Sequence, residues 1–165
     1  MSEIIQDGHP TLRNTAHPVP IDAIASQQFR TLIADMHDTL STVEDGVALA
    51  APQINAPWRI FVVSPRAFDP YVDQPLTYIN PTITSTSKKK ESMEEGCLSV
   101  RWKYGNTKRH AQTTVHAHDE HGCEFVRGGS GLLAQIFQHE IDHLDGILFH
   151  DHATGVHETE PPSIS

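Results

Sequence analysis

The sequence predicts an α+β fold, with mostly antiparallel sheets packed around a C-terminal helix and with another helix near the N-terminus. Three observations predict it. Two segments have helical periodicity, several short segments between them are rich in β-forming residues, and turn-forming residues join the latter.

The two helices are predicted from apolar side chains that recur at helical spacing. The first helix is expected over residues 21–42, ended by Asp45 and Gly46, and its apolar face comprises Phe29, Leu32, Ile33, Met36 and Leu40. The second is expected to begin at a capping Ser130 and to end at Gly146, and its apolar face comprises Leu132, Leu133, Ile136 and Phe137.

The segments between the helices are typical of strands. Residues 58–63 are rich in aromatic and β-branched side chains, and residues 76–83 continue this pattern apart from a break at Pro81. Residues 113–118 and 123–126 flank four turn-forming residues, which indicates a hairpin.

Composition limits the chain to a small number of functional classes. Its 165 residues suit a single domain, expected over residues 1–154, and the polar residues 155–165 suggest a flexible tail. The net charge of −9 argues against general binding to nucleic acid. No apolar run is long enough to cross a membrane and no signal peptide is visible, so we expect a cytoplasmic protein.

The second predicted helix contains a motif that is typical of metal sites. Residues 139–143 read His-Glu-Ile-Asp-His, and residues four apart lie on one helical face, so His139 and His143 can converge on one ion. Glu140 then lies near the ion and is free to exchange protons with water. Chance alone would produce such a pattern in about one chain of this composition in twenty, so the motif needs a third ligand.

Cys97 is the candidate for that ligand. Thiolate and imidazole both bind zinc and iron, and three protein ligands leave one position open. Taken alone, a cysteine is more often a small buried thiol, and we expect that of Cys123. A disulfide between the two cysteines is not expected in a cytosolic chain.

Three separate segments resemble the signature segments of peptide deformylases, in the same order. They are residues 46–53 (GVALAAPQ), 95–99 (EGCLS) and 138–143 (QHEIDH), and the resemblance extends over about residues 10–149. It implies removal of the formyl group from the N-terminal methionine of new peptides. It also implies one divalent metal ion, usually Fe²⁺ with Zn²⁺ or Ni²⁺ as substitutes, held by Cys97, His139 and His143.

The resemblance further assigns roles to individual residues. Glu140 would move protons, and the side-chain amide of Gln53 and the backbone N–H of Leu98 would stabilise the oxyanion. Arg109 would brace Glu95 or Asp142. Substrate would be bound by the residues Gly46, Val47, Ala48, Leu132 and Ile136, although the last two also fit an ordinary core stripe.

Several positions depart from the family pattern. Ala48 replaces a usual glycine, and residues 100–104 (VRWKY) replace a proline and a short substrate-binding loop, with Tyr104 in place of a frequent arginine. The short acidic C-terminus lacks the helix that many bacterial members use on the ribosome, which argues against docking by that route. We expect a monomer.

Other functions remain open on the sequence alone. The site could act on another N-formylated or N-acylated amine, since the departures lie in the predicted substrate groove. A zinc protease shares the helix motif, but Cys97 and Gln53 argue against it. A non-catalytic metal-binding protein would not need Glu140.

Overall fold

A computed structural model describes residues 1–68 and 73–161. Within these ranges the chain forms two α-helices, α1 (Gln27–Ser41) and α2 (Gly131–Leu144), and eight strands that build two antiparallel sheets. The α+β prediction is confirmed, with α2 as the C-terminal helix of the described residues. No helix in the described part of the chain has the length and apolar character needed to cross a bilayer.

The larger sheet has five strands in the order β1-β2-β3-β6-β7. Their bounds are β1 (Ala48–Ala50), β2 (Ile60–Val63), β3 (Thr77–Thr86), β6 (Gln112–His118) and β7 (Glu124–Ser130). The predicted hairpin is confirmed as β6 and β7, in which His116 pairs with Val126. Strand β1 lies at one edge of this sheet, so one side of its backbone is not paired by another strand of the described fold.

The smaller sheet has three strands in the order β4-β5-β8. They are β4 (Lys90–Cys97), β5 (Val100–His110) and β8 (Thr154–Glu158). The hairpin of β4 and β5 was not predicted, because most of its side chains are polar even where they are partly buried, and they give little apolar patterning. This hairpin delivers Cys97 at the end of β4.

The two helices pack on opposite faces of the larger sheet. Alternate residues of β2 divide between two core clusters: Ile60 and Val62 pack with α1, whereas Phe61 and Val63 pack with α2. Phe61 stacks on Tyr78 with ring centroids 4.6 Å apart. Because α2 also contacts β5 of the smaller sheet, it lies between the two sheets, and residues on it can meet residues from both.

The structure differs from several predictions in detail. A 3-10 turn, Ile21–Ala23, precedes α1, which begins only after Ser26. Pro81 does not break β3, because a register shift between Ile79 and Thr82 leaves it outside the regular pairing that a residue without an N–H cannot complete. Cys123 is exposed rather than buried, and both cysteines are free.

Part of the segment 155–165, which was expected to be a flexible tail, forms a strand in the structure. Residues 154–158 form β8, which pairs with β5 through Lys103 opposite Glu158 and Tyr104 opposite His157. The polar composition of the segment concealed this strand, since every residue in it is exposed and only its backbone is paired. Residues 162–165 lie outside the described part of the chain.

Gly146 ends α2 at a point where no side chain fits. Its φ of +76° is left-handed, and a Cβ there would lie 2.5 Å from the carbonyl oxygen of Arg13. Gly122 has a similar φ of +82°, but a Cβ added to it would meet no atom within 4 Å.

These two glycines allow backbone strain and steric overlap to be separated. Gly122→Ala should lower the free energy of unfolding by about 1–2 kcal/mol, the cost of a left-handed residue with a side chain. Gly146→Ala should lower it by roughly 1–3 kcal/mol more, because the backbone of Arg13 must move. Urea unfolding of both variants measures the difference, and equal losses would contradict the proposed overlap.

Candidate metal centre and active-site cleft

Three donor atoms from two elements meet beside α2. Cys97 Sγ lies 3.2 Å from His143 Nε2, which lies 3.2 Å from His139 Nε2. The three atoms all lie within 4.8 Å of one another, so the cluster could hold a metal ion. Metal–nitrogen and metal–sulfur bonds of about 2.0–2.3 Å imply ligand separations of about 3.3–3.6 Å in a tetrahedral site, close to the two distances of 3.2 Å.

The histidines reach the cluster because they lie one helical turn apart on α2. Both rings offer Nε2 to it, and His139 donates from Nδ1 to Glu95 Oε2 at 2.8 Å. This hydrogen bond leaves the lone pair of His139 on Nε2, where a metal would be bound. The donor set, its spacing and this tautomer therefore fit a divalent ion.

Glu95 is held in turn by a buried arginine. Arg109 donates to both carboxylate oxygens of Glu95, from Nε at 3.0 Å and from Nη2 at 2.6 Å, and its Nη1 donates to Asp142 at 2.8 Å. Glu95 and Arg109 are only 4% and 5% exposed. Burial would raise the pKa of Glu95, but the hydrogen bonds from His139 and Arg109 outweigh it and lower that pKa well below the usual range. Arg109 thus contacts both of the acidic partners expected for it.

Glu140 follows His139 on α2 and is buried beside the metal cluster. It is 4% exposed, and its Oε2 has no hydrogen-bond partner among the described residues. Burial raises the pKa of Glu140 to about 7, against an opposing effect of His139. A carboxyl group in this state can both take up and release a proton near neutral pH.

Gln53 is positioned by a short 3-10 helix, Ala51–Ile54, that follows β1. Its Oε1 accepts from the backbone N–H of Ala50 at 2.8 Å, and its Nε2 donates to Ser99 Oγ at 3.1 Å. With the carbonyl end fixed in this way, Nε2 lies 3.7 Å from Cys97 Sγ. The amide donor of Gln53 is thus directed to the metal cluster.

Leu98 lies next to the cluster in the turn between β4 and β5. Its carbonyl accepts from Gln6 Nε2 at 2.8 Å, a contact that fixes the peptide group between Leu98 and Ser99. The side chain of Leu98 packs close to Gly46 of the segment that leads into β1.

A cleft of about 290 Å³ opens onto the cluster. Apart from His143, which is buried behind it, every predicted site residue lines this cleft; they are Gly46, Val47, Ala48, Gln53, Cys97, Leu98, Leu132, Ile136, His139 and Glu140. Ala48 also packs in the core cluster beneath α2 and is only 7% exposed. The structure therefore brings the predicted residues into one place.

Several residues that shape the site were not predicted. Arg66 donates to the carbonyl oxygens of Val43 and Gly46 at 2.7 and 2.9 Å, which holds the segment before β1. Ser99 is fully buried beside Gln53. Arg66 acts through contacts distant in sequence that no local pattern marks, whereas Ser99 ends the segment 95–99 but was given no role there.

Trp102 lies near the start of β5. In the structure it lines the cleft and has a φ of +67°, in the left-handed region that residues with large side chains rarely adopt. Such a conformation costs on the order of 1–3 kcal/mol and is found mainly at functional sites.

Comparison with known proteins gives consistent matches over almost the whole chain. A model of the polypeptide deformylase family matches residues 1–159. A peptide deformylase from Thermomicrobium roseum is 43% identical over 153 residues, which cover 90% of this chain and 83% of that protein.

Solved structures agree with these sequence matches. A peptide deformylase from Legionella pneumophila is 37% identical with a TM-score of 0.84, over 94% of this chain and 87% of that one. A class I type b peptide deformylase from Acinetobacter baumannii bound to Met-Ala-Ser is 29% identical with a TM-score of 0.80, over 92% of this chain and 98% of that one. The chain therefore belongs to the polypeptide deformylase family, hydrolases that remove the formyl group from the N-terminal methionine of peptides.

Proposed function

We propose that this chain hydrolyses the formamide of N-formylmethionyl peptides at the cluster of Cys97, His139 and His143, releasing formate. The observation that carries the proposal is that these three donors open onto a cleft shared with Glu140 and Gln53. A non-catalytic metal protein would have no use for a buried carboxyl without a partner beside the cluster.

The donor set suits one divalent ion per chain. We propose Fe²⁺ in the native protein, with Zn²⁺ and Ni²⁺ able to replace it, since one thiolate and two imidazoles bind each of them. A bound ion would polarise the formyl carbonyl and make a nucleophile available from water at neutral pH. With iron present, the thiolate of Cys97 should make the enzyme sensitive to oxygen.

Glu140 is the proton carrier in this proposal. Its unpartnered Oε2 can accept a proton from the attacking water and then protonate the departing amine. Burial raises the pKa of Glu140 above the ordinary range of a carboxyl group, which suits a residue that must release a proton as well as accept one.

Gln53 and Leu98 are the proposed donors to the oxyanion. The amide of Gln53 has two N–H bonds. It donates to Ser99 Oγ at 3.1 Å and, over the longer distance of 3.7 Å, to Cys97 Sγ, and this second, weaker contact could be exchanged for one to substrate. The backbone N–H of Leu98 would be the second donor. Removing one such donor typically costs about 10²–10³ in kcat.

The peptide is proposed to bind along the segment of Gly46, Val47 and Ala48. This segment leads into β1, an edge strand of the larger sheet, and an edge strand can accept an extended peptide as one more strand. Leu132 and Ile136 would enclose the methionine side chain. Leu132 is 47% exposed at the cleft while Ile136 is 4% exposed, so only Leu132 is free of a core role.

All these residues belong to one chain, so the site needs no partner subunit. We propose that the enzyme works as a monomer in the cytoplasm, where newly made formylated peptides are available.

The direct test is formate release from formyl-Met-Ala-Ser by protein loaded anaerobically with Fe²⁺. We expect turnover, with a strong preference over the corresponding formyl-Gly and formyl-Glu peptides because the cleft offers apolar side chains to the methionine. Equal turnover of all three peptides would support the alternative substrate, another N-formylated amine, and no turnover would contradict the proposed activity.

Glu140→Gln should separate proton transfer from metal binding. We expect kcat to fall by about 10²–10⁴ because the proton carrier is lost. Bound metal, measured by elemental analysis, should stay at one ion per chain. Glu124→Gln, at an exposed position on β7, is the matched control and should keep full activity. A Glu140→Gln enzyme with full activity would rule out the proposed role.

Arg109→Met tests the support of the metal ligand. It leaves Glu95 charged, buried and without its main partner, so the free energy of unfolding should fall by about 3–5 kcal/mol. Metal affinity should fall by about 10–100-fold, since His139 loses its fixed orientation.

Lys108→Met is the matched control, because Lys108 is the exposed neighbour of Arg109 on β5. Urea unfolding and metal titration of both variants measure the two effects. Similar values for the two variants would show that the buried ion pair does not hold the site.

A further inference from the structure

The wall of the cleft opposite Gly46 is formed by a bulge at the start of β5. Gly96 pairs with Tyr104, but the next residue, Cys97, pairs with Val100, so residues 101–103 are extra to the register. Trp102 lies at the centre of this bulge with its φ of +67°. The strained residue is therefore next to the strand end that carries Cys97.

The C-terminal strand holds this conformation in place. The carbonyl oxygen of Trp102 accepts hydrogen bonds from both the backbone N–H and the side-chain hydroxyl of Thr159, at 2.7 and 3.3 Å. Lys103, the following residue, pairs with Glu158 of β8. These contacts join segments that are distant in sequence, and they compensate for a backbone that Trp102 would not adopt alone.

Arg101 connects the bulge to the opposite wall. Its guanidinium lies 4.8 Å from the centroid of the Trp102 ring, and it donates to both carboxylate oxygens of Asp45 at 2.8 and 3.3 Å. Asp45 directly precedes Gly46. Through Arg101, the Trp102 ring is thus connected to the segment that is proposed to bind the peptide.

We propose that Trp102 determines specificity for the peptide residue that follows the methionine, favouring aromatic side chains there. The proposal rests on the proposed function, because it needs the formyl group at the metal cluster and the chain extending past Gly46. A half-buried indole held in a strained conformation offers a rigid flat surface, on which an aromatic side chain packs with little loss of conformational freedom.

The experiment compares formyl-Met-Phe-Ser with formyl-Met-Ala-Ser as substrates of the metal-loaded enzyme. The wild-type protein should have the higher kcat/KM for the phenylalanine peptide. Trp102→Asn removes the ring while keeping a residue that tolerates positive φ, and it should reduce this preference by about tenfold, through KM rather than kcat. Trp102→Phe keeps an aromatic ring and should retain most of the preference.

Trp58 provides a matched control. It is the other tryptophan of the chain and packs on Phe29 with ring centroids 5.0 Å apart, outside the cleft. Trp58→Phe should leave the preference unchanged, and in that variant Trp102 is the sole tryptophan. Its fluorescence should then change on addition of the product peptide Met-Phe-Ser, and change less with Met-Ala-Ser.

The outcomes separate the two proposals. If wild type and Trp102→Asn both release formate with the same ratio between the peptides, or if the fluorescence of Trp102 does not respond to Met-Phe-Ser, the role of Trp102 is wrong and the activity stands. If the wild-type enzyme releases formate from neither peptide, the proposed function itself fails.

Discussion

The hydrogen bonds of the Arg109 guanidinium hold together the parts of the molecule on which the site depends. Arg109 lies on β5, its partner Glu95 on β4, and its other partner Asp142 on α2. Glu95 then receives the Nδ1 proton of His139. The buried guanidinium of Arg109 thereby joins β4 and β5 of the smaller sheet to α2. β4 and α2 are also the two elements that supply the metal donors.

Such an ion pair is not the most favourable way to stabilise a fold. Removing two charges from water costs several kcal/mol, and apolar residues of similar volume often serve stability as well or better. What the pair provides is geometry: the planar fork of Arg109 fixes the carboxylate of Glu95, and Glu95 fixes the tautomer and ring plane of His139. The ion pair therefore orients one of the three metal donors.

A feature of this fold could be predicted when the residues that form it are close together in the sequence, and not when they are far apart. Periodicity revealed α1, α2 and the β6–β7 hairpin, because each has a local apolar pattern. It missed β4, β5 and β8, whose pairing is made by backbone while their side chains remain largely polar. The same division holds in the site. The spacing of His139 and His143 indicated a metal site from one helix, and Cys97 was a candidate third ligand from its chemistry. Gln53 and Leu98 were recognised only through resemblance, and Arg66 acts through contacts with residues distant in sequence.

The cleft combines a part that tolerates little change with a part that tolerates more. Around the metal cluster, Glu95, Gln53 and Glu140 are buried, and the elements that surround them fix their positions. A substitution there leaves a buried polar group unpaired. At the far end, Arg101 and Asp45 are more exposed and form an ion pair at 2.8 Å. The wall formed by residues 101–103 is held by backbone pairing with β8 rather than by the side chains of β8. The side chains of this wall can therefore vary while the strand pairing persists. Residues 100–104, including Trp102, lie in this wall, and a segment at the rim of a cleft is where one reaction is commonly adapted to different substrates.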